Sequence, residues 1–296
     1  MTQRLNWTVS LIKVPAIAFF LVFALGPLIA AVYISFLNWN GISSPTWVGL
    51  GNWVRAFTDP VTLNAIFLTL QVVVLSWIIQ TPISLLLGVF LAGRQRYRAI
   101  LGVFYFLPLL FSAVAIGLIW ASSMLSSNGA LNSLLQAVGA SSLAANWLGS
   151  TNLALYAIIA VLAWQFVPFH TLLYQAGARQ IPVVLYEAAR IDGAGTLQQF
   201  FYITLPQLRY TVVTSTILIL TGSLTYFDIF FVMTGGGPGY STRILPLQMY
   251  ITAFQNTEIG YGSAIAVILA LAGIAISLLL LRITGFGRME SQAEGL

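Results

Sequence analysis

Cysteine, histidine and charge are scarce in this chain of 296 residues, which has no cysteine, one histidine and only 6% charged residues. The lack of cysteine excludes disulfides, thiolate metal ligands and a cysteine nucleophile. His170 alone cannot form a site of several imidazoles, so we predict no metal site, and the sequence offers no catalytic residue. Soluble domains have about 25% charged and about 45–50% apolar residues. The 59% hydrophobic content therefore predicts a membrane protein.

Six apolar stretches are long enough to cross about 30 Å of hydrocarbon as helices. They are Val14 to Leu37, Asn64 to Ala92, Ala99 to Met124, Leu153 to Ala178, Tyr210 to Met233 and Gly260 to Leu281. The predicted fold is an all-α, polytopic membrane protein in contact with lipid. No internal repeat or linker separates a second domain, so residues 1–296 are expected to form one membrane unit.

The loops between these stretches differ sharply in their arginine and lysine content. Arg55 and Arg243 lie on one side of the predicted bilayer, and the remaining ten basic residues lie on the other: Arg4, Lys13, Arg94, Arg96, Arg98, Arg179, Arg190, Arg209, Arg282 and Arg288. Cytoplasmic loops are enriched in such residues, so both termini are predicted to be cytoplasmic. This topology accounts for the formal net charge of +5, and no basic stripe indicates a nucleic-acid partner.

The most polar long stretch, residues 182–206, lies in the predicted cytoplasmic loop between the fourth and fifth spans. Pro182 suits a first helical position, and Asp192 with Gly193 ends the run of helix formers that follows it. A second helix is predicted from the residues that suit a capping box and one apolar face. These residues are Thr196 and Gln199 for the capping box, Leu197, Phe200, Phe201 and Leu205 for the face, and Pro206 for the helix end. The stretch is therefore expected to fold as a helical hairpin.

Two interpretations of this hairpin remain open from its pattern alone. An amphipathic loop could lie on lipid headgroups, or the hairpin could bind another protein. Glu187 and Asp192 would face an anionic leaflet, where basic residues are favoured, and this disfavours the first interpretation. A protein partner fits the charges better.

The spacing within the hairpin resembles a known signature. Glu187-Ala188-Ala189 is followed after three residues by Gly193 and after nine more by Ile203-x-Leu205-Pro206. This arrangement resembles the membrane subunits of bacterial ATP-binding-cassette importers, in the same loop between the fourth and fifth of six spans. The stretch "DIFFVMTGGGPGYSTRILPLQMYITAF" resembles the maltose-type first permease of the carbohydrate-uptake subfamily. Tyr210 departs from relatives that have proline at this position.

The resemblance implies a type I importer permease fold, with the hairpin as a coupling helix that docks on a cytoplasmic ATPase. The coupling residues would be Glu187, Ala188, Ala189, Asp192 and Gly193. The implied partners are a second homologous permease subunit, two copies of the ATPase and an extracytoplasmic solute-binding protein. The sequence has no G-x4-G-K-[ST] loop, so we expect no cofactor in this chain, with ATP and Mg²⁺ bound by the ATPase subunits.

Sugar sites combine hydrogen-bonding groups with flat apolar surface, and the fourth and fifth spans offer both. When positions are counted from Pro168 and from the GGGP run, the resemblance implies a substrate pathway along two segments. Asp228 adds a carboxylate within a span. The predicted pathway residues are Gln165, Phe166, Phe169, Gly222, Ser223, Tyr226 and Asp228. Helix packing is the competing explanation for the small and aromatic residues.

The leading interpretation is one transmembrane subunit of an ATP-driven importer for a sugar, a polyol or a glycerol-phosphate-type solute, working by alternating access. The alternative is a proton-coupled secondary transporter that uses Asp228 and His170 as a relay. That alternative predicts paired carboxylates within the membrane and gives the hairpin no role. A membrane scaffold without transport activity is a third and weaker option.

Overall fold

The computed structural model of the protein describes residues 7–93 and 95–284, which are almost entirely helical. In the first part of the chain the elements are α1 (Trp7–Phe20), α2 (Gly26–Ile34), β1 (Leu37–Asn38), β2 (Thr46–Trp47), α3 (Gly51–Ala56), α4 (Pro60–Leu91), α5 (Arg96–Phe106), α6 (Ala113–Ile119) and α7 (Ala130–Ala137). The two short strands are antiparallel, with Leu37 opposite Trp47.

The second part of the chain contains α8 (Ala154–Gln180), α9 (Val183–Ile191), α10 (Thr196–Gln199), α11 (Leu205–Gln207), α12 (Arg209–Ser223), α13 (Asp228–Thr234), α14 (Leu245–Tyr250) and α15 (Ile259–Thr284). Segments of π-helix extend or join several of these helices: Leu21–Leu25, Trp120–Met124, Phe200–Thr204 and Ile251–Gln255. Short 3₁₀ turns are formed by Leu107–Leu110 and Ser141–Leu143.

By its contacts the chain divides into two compact units. Among the described residues, the first comprises 7–63 and Gln248–Ala272, and the second comprises 64–93, 95–247 and 273–284.

Polar contacts near the start of α4 hold the first unit together. Arg55 forms a bidentate ion pair with Glu258, with both N–O distances 3.0 Å. Asp59 caps α4 by accepting hydrogen bonds from the backbone N–H groups of Val61 and Thr62. The hydroxyls of Thr62 and Tyr261 also donate to Asp59, at 2.7 and 3.2 Å. Burial opposes the charged carboxylate, but these hydrogen bonds prevail and lower the pKa of Asp59.

The core of the second unit is built around α8, whose buried face is mainly apolar but also contains Gln165, His170 and Thr171. Gly88 of α4 lies directly against Tyr174 of α8, and a Cβ added at Gly88 would be 2.5 Å from the Tyr174 Cβ. Further along the same contact, Ser84 donates to the Val167 carbonyl at 3.2 Å. Small residues at such crossings let helix backbones approach closely in a membrane.

Four helices are long and apolar enough to cross a membrane: Lys13–Ile34, Pro60–Leu91, Ala154–Gln180 and Ile259–Ile283. Two bent pairs raise the number to six if each pair is one span, namely Arg96–Leu110 with Ala113–Met124 and Thr196–Gln207 with Arg209–Ser223. The all-α polytopic fold is thereby confirmed.

The predicted third span, 99–124, is not one straight helix, because its two halves are bent by 97°. Phe111 and Ser112 are extended, and the Ser112 hydroxyl caps the second half by accepting from the Ala115 N–H. The predicted fifth span, 210–233, is likewise not one continuous helix. Its helix α12 ends at Ser223, and the chain leaves helical geometry before α13 begins at Asp228.

The hairpin of residues 182–206 is present, with three local differences from the prediction. Pro182 precedes α9 as its N-cap instead of occupying the first helical position. The second helix is capped one residue earlier than expected, because the Gly195 N–H donates to Gln198 Oε1 at 2.8 Å. The π-turn Phe200–Thr204 interrupts the 3.6-residue period, so the predicted apolar face is not continuous and Leu197 is 73% exposed.

Candidate functional site

A cavity of about 430 Å³ lies inside the second unit. Its walls come from α8, α12, α13 and the bent segment that joins α5 to α6. The lining residues are Leu109, Ala113, Leu162, Phe166, Phe169, His170, Leu218, Gly222, Thr225, Tyr226, Phe227, Asp228 and Ile229. This volume lies within the range of about 300–1,000 Å³ that small-molecule sites occupy.

Aromatic rings form much of the cavity wall. Phe166 of α8 and Tyr226 stack with their centroids 5.3 Å apart and their planes inclined by 24°. Phe169 meets the ring of His170 edge-on at 5.1 Å. These contacts hold flat apolar surface beside polar side chains, which is the combination that the sequence predicted for a sugar site.

The interrupted helix between α12 and α13 forms another side of the cavity. Gly222, near the end of α12, uses its carbonyl to accept hydrogen bonds from the backbone N–H and the hydroxyl of Thr225, at 3.0 and 2.8 Å. These bonds close a turn that ends the helix. The turn brings Thr225, Tyr226 and Asp228 to the cavity, whereas on a continuous helix these residues would be spread around its circumference.

The structure brings together five of the seven predicted pathway residues. Phe166, Phe169, Gly222, Tyr226 and Asp228 line the cavity. Gln165 and Ser223 do not line it.

Both of these remaining residues are buried beside the cavity walls. Gln165 is 6% exposed and its Oε1 has no hydrogen-bond partner among the described residues. Ser223 is 1% exposed and donates its hydroxyl to the Ile219 carbonyl at 2.6 Å. The roles of all seven residues in a substrate pathway stay predictions.

Sequence reasoning missed several lining residues and left His170 outside the predicted pathway. Leu109 and Ala113 come from the bend in the third predicted span, and Pro108 together with the capping Ser112 was the available signal for that bend. Thr225 joins the cavity because the fifth helix is interrupted. His170 lines the cavity one helical turn from Phe166.

The predicted coupling residues form a second candidate site on the hairpin. Glu187, Ala188, Asp192 and Gly193 are exposed, and Ala189 is half-buried. Next to them Ile191 is 87% exposed, so apolar and charged groups share one uncovered surface of this chain. Gly193 has a φ of +79°, and a Cβ at this position would meet nothing within 4 Å.

Hydrogen bonds within the hairpin fix its shape. The C-terminus of α9 is closed by the bonds from the N–H of Gly193 to the Arg190 carbonyl and from the N–H of Ala194 to the Ala189 carbonyl. The hydroxyls of Tyr186 and Thr204 lie 2.9 Å apart and link the two arms of the hairpin. The exposed residues of the turn are therefore held by a folded scaffold.

A helical fold with four to six candidate spans and this exposed hairpin agrees with the family whose sequence model matches residues 80–286. That family is described as the binding-protein-dependent transport system inner membrane component. The chain belongs to this family. This permease is therefore a transport component and a multi-pass protein of the cytoplasmic membrane, and its transport system depends on a binding protein.

Two relatives match almost the full length of the permease. A probable ABC transporter permease protein of Bacillus subtilis, YurN, is 35% identical over 283 residues, covering 95% of this chain and 97% of the relative. The trehalose/maltose transport system permease protein MalF of Thermococcus litoralis is 31% identical over 279 residues, covering 94% of each chain.

A solved structure is similar to the permease in fold. It is a chain in the crystal structure of a bacterial ABC transporter involved in the import of the acidic polysaccharide alginate. The TM-score is 0.81 with 23% sequence identity, over 94% of this chain and 95% of that chain. At this identity the likeness concerns the fold alone.

Proposed function

We propose that this permease carries a sugar, or a related polyol or glycerol-phosphate-type solute, inward through its cavity by alternating access. The observation that carries the proposal is the stacked pair of Phe166 and Tyr226 in a cavity that also contains hydroxyl, carboxylate and imidazole groups. Aromatic faces match the apolar faces of sugar rings, and polar groups match their hydroxyls. The trehalose/maltose specificity named for the Thermococcus relative supports the same solute class.

The proposed assembly contains more than this chain. A second homologous permease subunit completes the membrane part, two copies of a cytoplasmic ATPase bind ATP and Mg²⁺, and an extracytoplasmic binding protein delivers the solute. The sequence has no phosphate-binding loop, which supports ATP hydrolysis by the ATPase subunits and not by this chain.

The hairpin is proposed to receive the movement of the ATPase. Exposed Glu187 and Asp192 would make polar or ionic contacts, while Ala188, Ala189 and Gly193 would permit close approach of the ATPase surface. The exposure of Ile191 at 87% supports a protein partner, because an apolar side chain gains free energy when such a surface is covered.

Uptake by reconstituted vesicles tests the proposal. The permease is assembled with its partner subunits and binding protein, and radiolabelled maltose, trehalose, diacetylchitobiose and glycerol phosphate are offered with ATP inside the vesicles. We expect at least one of these solutes to accumulate with ATP, and none to accumulate with a non-hydrolysable analogue. Uptake driven by a proton gradient without ATP would instead support the secondary transporter that relies on Asp228 and His170.

A further inference from the structure

The lone histidine of the permease lies where the cavity wall meets α12. His170 is 4% exposed and lines the cavity. Its Nδ1 is 3.0 Å from the hydroxyl oxygen of Ser215 on α12. A neutral imidazole has one donor nitrogen and one acceptor nitrogen, so the direction of this hydrogen bond decides what the other nitrogen offers to the cavity.

The neighbouring hydroxyls of α12 differ from Ser215, because they donate to carbonyls of their own helix. Thr214 donates to the Tyr210 carbonyl at 3.0 Å, Thr221 to the Ile217 carbonyl at 2.7 Å, and Ser223 to the Ile219 carbonyl at 2.6 Å. Among the described residues Ser215 makes no such bond to its own helix. The hydroxyl of Tyr174, which is buried and bonded to no other described residue, also lies near Ser215 and can donate to its oxygen. With Tyr174 as the donor, the Ser215 proton goes to Nδ1 of His170, and the remaining proton of the neutral ring is on Nε2.

Nε2 makes no hydrogen bond to the described part of the chain, yet it is not among the enclosed polar atoms that lack a partner. Because Nε2 is neither hydrogen-bonded nor enclosed, it retains accessible surface. The space beside His170 is the cavity.

We propose that His170 presents an Nε2–H donor to an acceptor oxygen of the transported sugar, and that Ser215 fixes the ring tautomer that makes this possible. His170 is thus a specificity-determining residue, and Ser215 is a positioning residue that acts through it. The favoured group on the solute is a hydroxyl, ring or glycosidic oxygen with a free lone pair. The contact with a sugar rests on the proposed function, which identifies the solute. The tautomer of His170 does not depend on the proposed function.

The single histidine allows the tautomer to be measured directly. The permease is produced with ¹⁵N-histidine and assembled in nanodiscs with unlabelled partners, so its ring nitrogens give one pair of NMR signals. We expect Nε2 to carry the proton at neutral pH in the unaltered protein. In Ser215→Ala we expect a mixture of the two tautomers. Thr214→Val is the matched control, because it removes an adjacent hydroxyl that is bonded only to its own helix. A protonated Nδ1 in the unaltered protein, or no response to Ser215→Ala, would overturn the assignment.

The transport measurement uses whichever sugar of the vesicle panel is taken up. His170→Leu is expected to lower maximal uptake about five- to tenfold, as for the loss of one hydrogen bond to the solute. The concentration of loaded binding protein at half-maximal rate should not change, because docking is not affected. His170→Gln, which restores an amide donor of similar reach, should recover part of the rate.

Two outcomes would contradict the contact with the sugar: full uptake by His170→Leu, or equal loss in the leucine and glutamine variants. If His170→Leu fails to assemble, the uptake of Ser215→Ala is compared with that of Thr214→Val. Unchanged uptake by Ser215→Ala would then reject the role of the tautomer in transport. A panel in which no sugar is taken up rejects the proposed function, while the NMR result still stands by itself.

Discussion

Gly88 and Tyr174 meet at the crossing of α4 and α8, where the glycine leaves no space for a side chain. A Cβ at Gly88 would lie 2.5 Å from the Tyr174 Cβ and 2.9 Å from the Thr171 carbonyl oxygen. The neighbouring bond from Gln175 to the Leu91 carbonyl, at 2.8 Å, fixes the same register of the two helices. The crossing therefore sets the position of α8, which contributes Phe166, Phe169 and His170 to the cavity.

Gly88→Ala is expected to destabilise the permease by about 1–3 kcal/mol, because the added methyl group overpacks a contact made partly by backbone. Thermal unfolding in detergent measures the effect. Gly102→Ala is the matched control, since a Cβ at that helical glycine meets only the Phe106 ring at an ordinary 3.5 Å. The control should be neutral or slightly stabilising. Equal stability of the two variants would show that the helices do not cross as described.

Gly193→Asp and Gly193→Asn are expected to uncouple ATP hydrolysis from uptake. Asparagine and aspartate tolerate positive φ better than other residues with side chains, so the hairpin keeps its fold while the added atoms obstruct a docked partner. ATPase activity and uptake are measured on the same assembled vesicles. Gly139→Asn is the control, because Gly139 has the same φ of +79° and equally open space. Normal coupling in both Gly193 variants would reject the docking role.

Gly222→Leu tests the cavity as a pathway. Gly222 lines the cavity and a Cβ at this position meets nothing within 4 Å, so an added side chain starts in open space and takes up part of the cavity. We expect uptake to fall at least about tenfold while thermal stability is retained, with Gly222→Ala intermediate. Thr221→Val, at a neighbouring position outside the cavity lining, should transport normally. Full uptake with the leucine in place would mean that the solute passes elsewhere.

Asp59→Asn should reduce the acid sensitivity of the permease. The folded-state pKa of Asp59 lies below its ordinary value, so its contribution to stability is present above that value and is lost as the pH falls through the folded pKa. Melting temperatures in detergent between about pH 6 and pH 3 should therefore decline less in Asp59→Asn than in the unaltered protein. Parallel declines would show that the carboxylate is not held by the Thr62 and Tyr261 hydroxyls.

The sequence was sufficient for features that depend on composition and local spacing. Apolar length predicted six spans, and the structure has four helices of sufficient length together with two bent pairs. Asp192 with Gly193 predicted the end of the first hairpin helix. Gly193 indeed adopts the positive φ for which glycine is suited. The cap of the second hairpin helix was misplaced by one residue, because adjacent glutamines at 198 and 199 both offer a side-chain carbonyl and only geometry selects Gln198.

Two features of the cavity wall could not be predicted from the sequence, one set by a local turn and the other by a long-range contact. No proline stands at Leu224–Phe227, and the helix ends there because Thr225 satisfies the Gly222 carbonyl from outside helical geometry. The pairing of His170 with Ser215 joins residues 45 positions apart on different helices. Neither residue type predicts the other, so the place of His170 in the cavity wall required the three-dimensional structure.

The internally bonded hairpin has a consequence for the energetics of assembly. The backbone of its turn is fixed by the bonds at Gly193, Ala194 and Gly195, and the Tyr186–Thr204 contact ties its arms together. A preorganised surface loses little conformational entropy when another protein covers it. In the proposed coupling role, displacement of the hairpin by the ATPase would move the helices at its two ends, α8 and α12, with little absorbed by rearrangement within the loop.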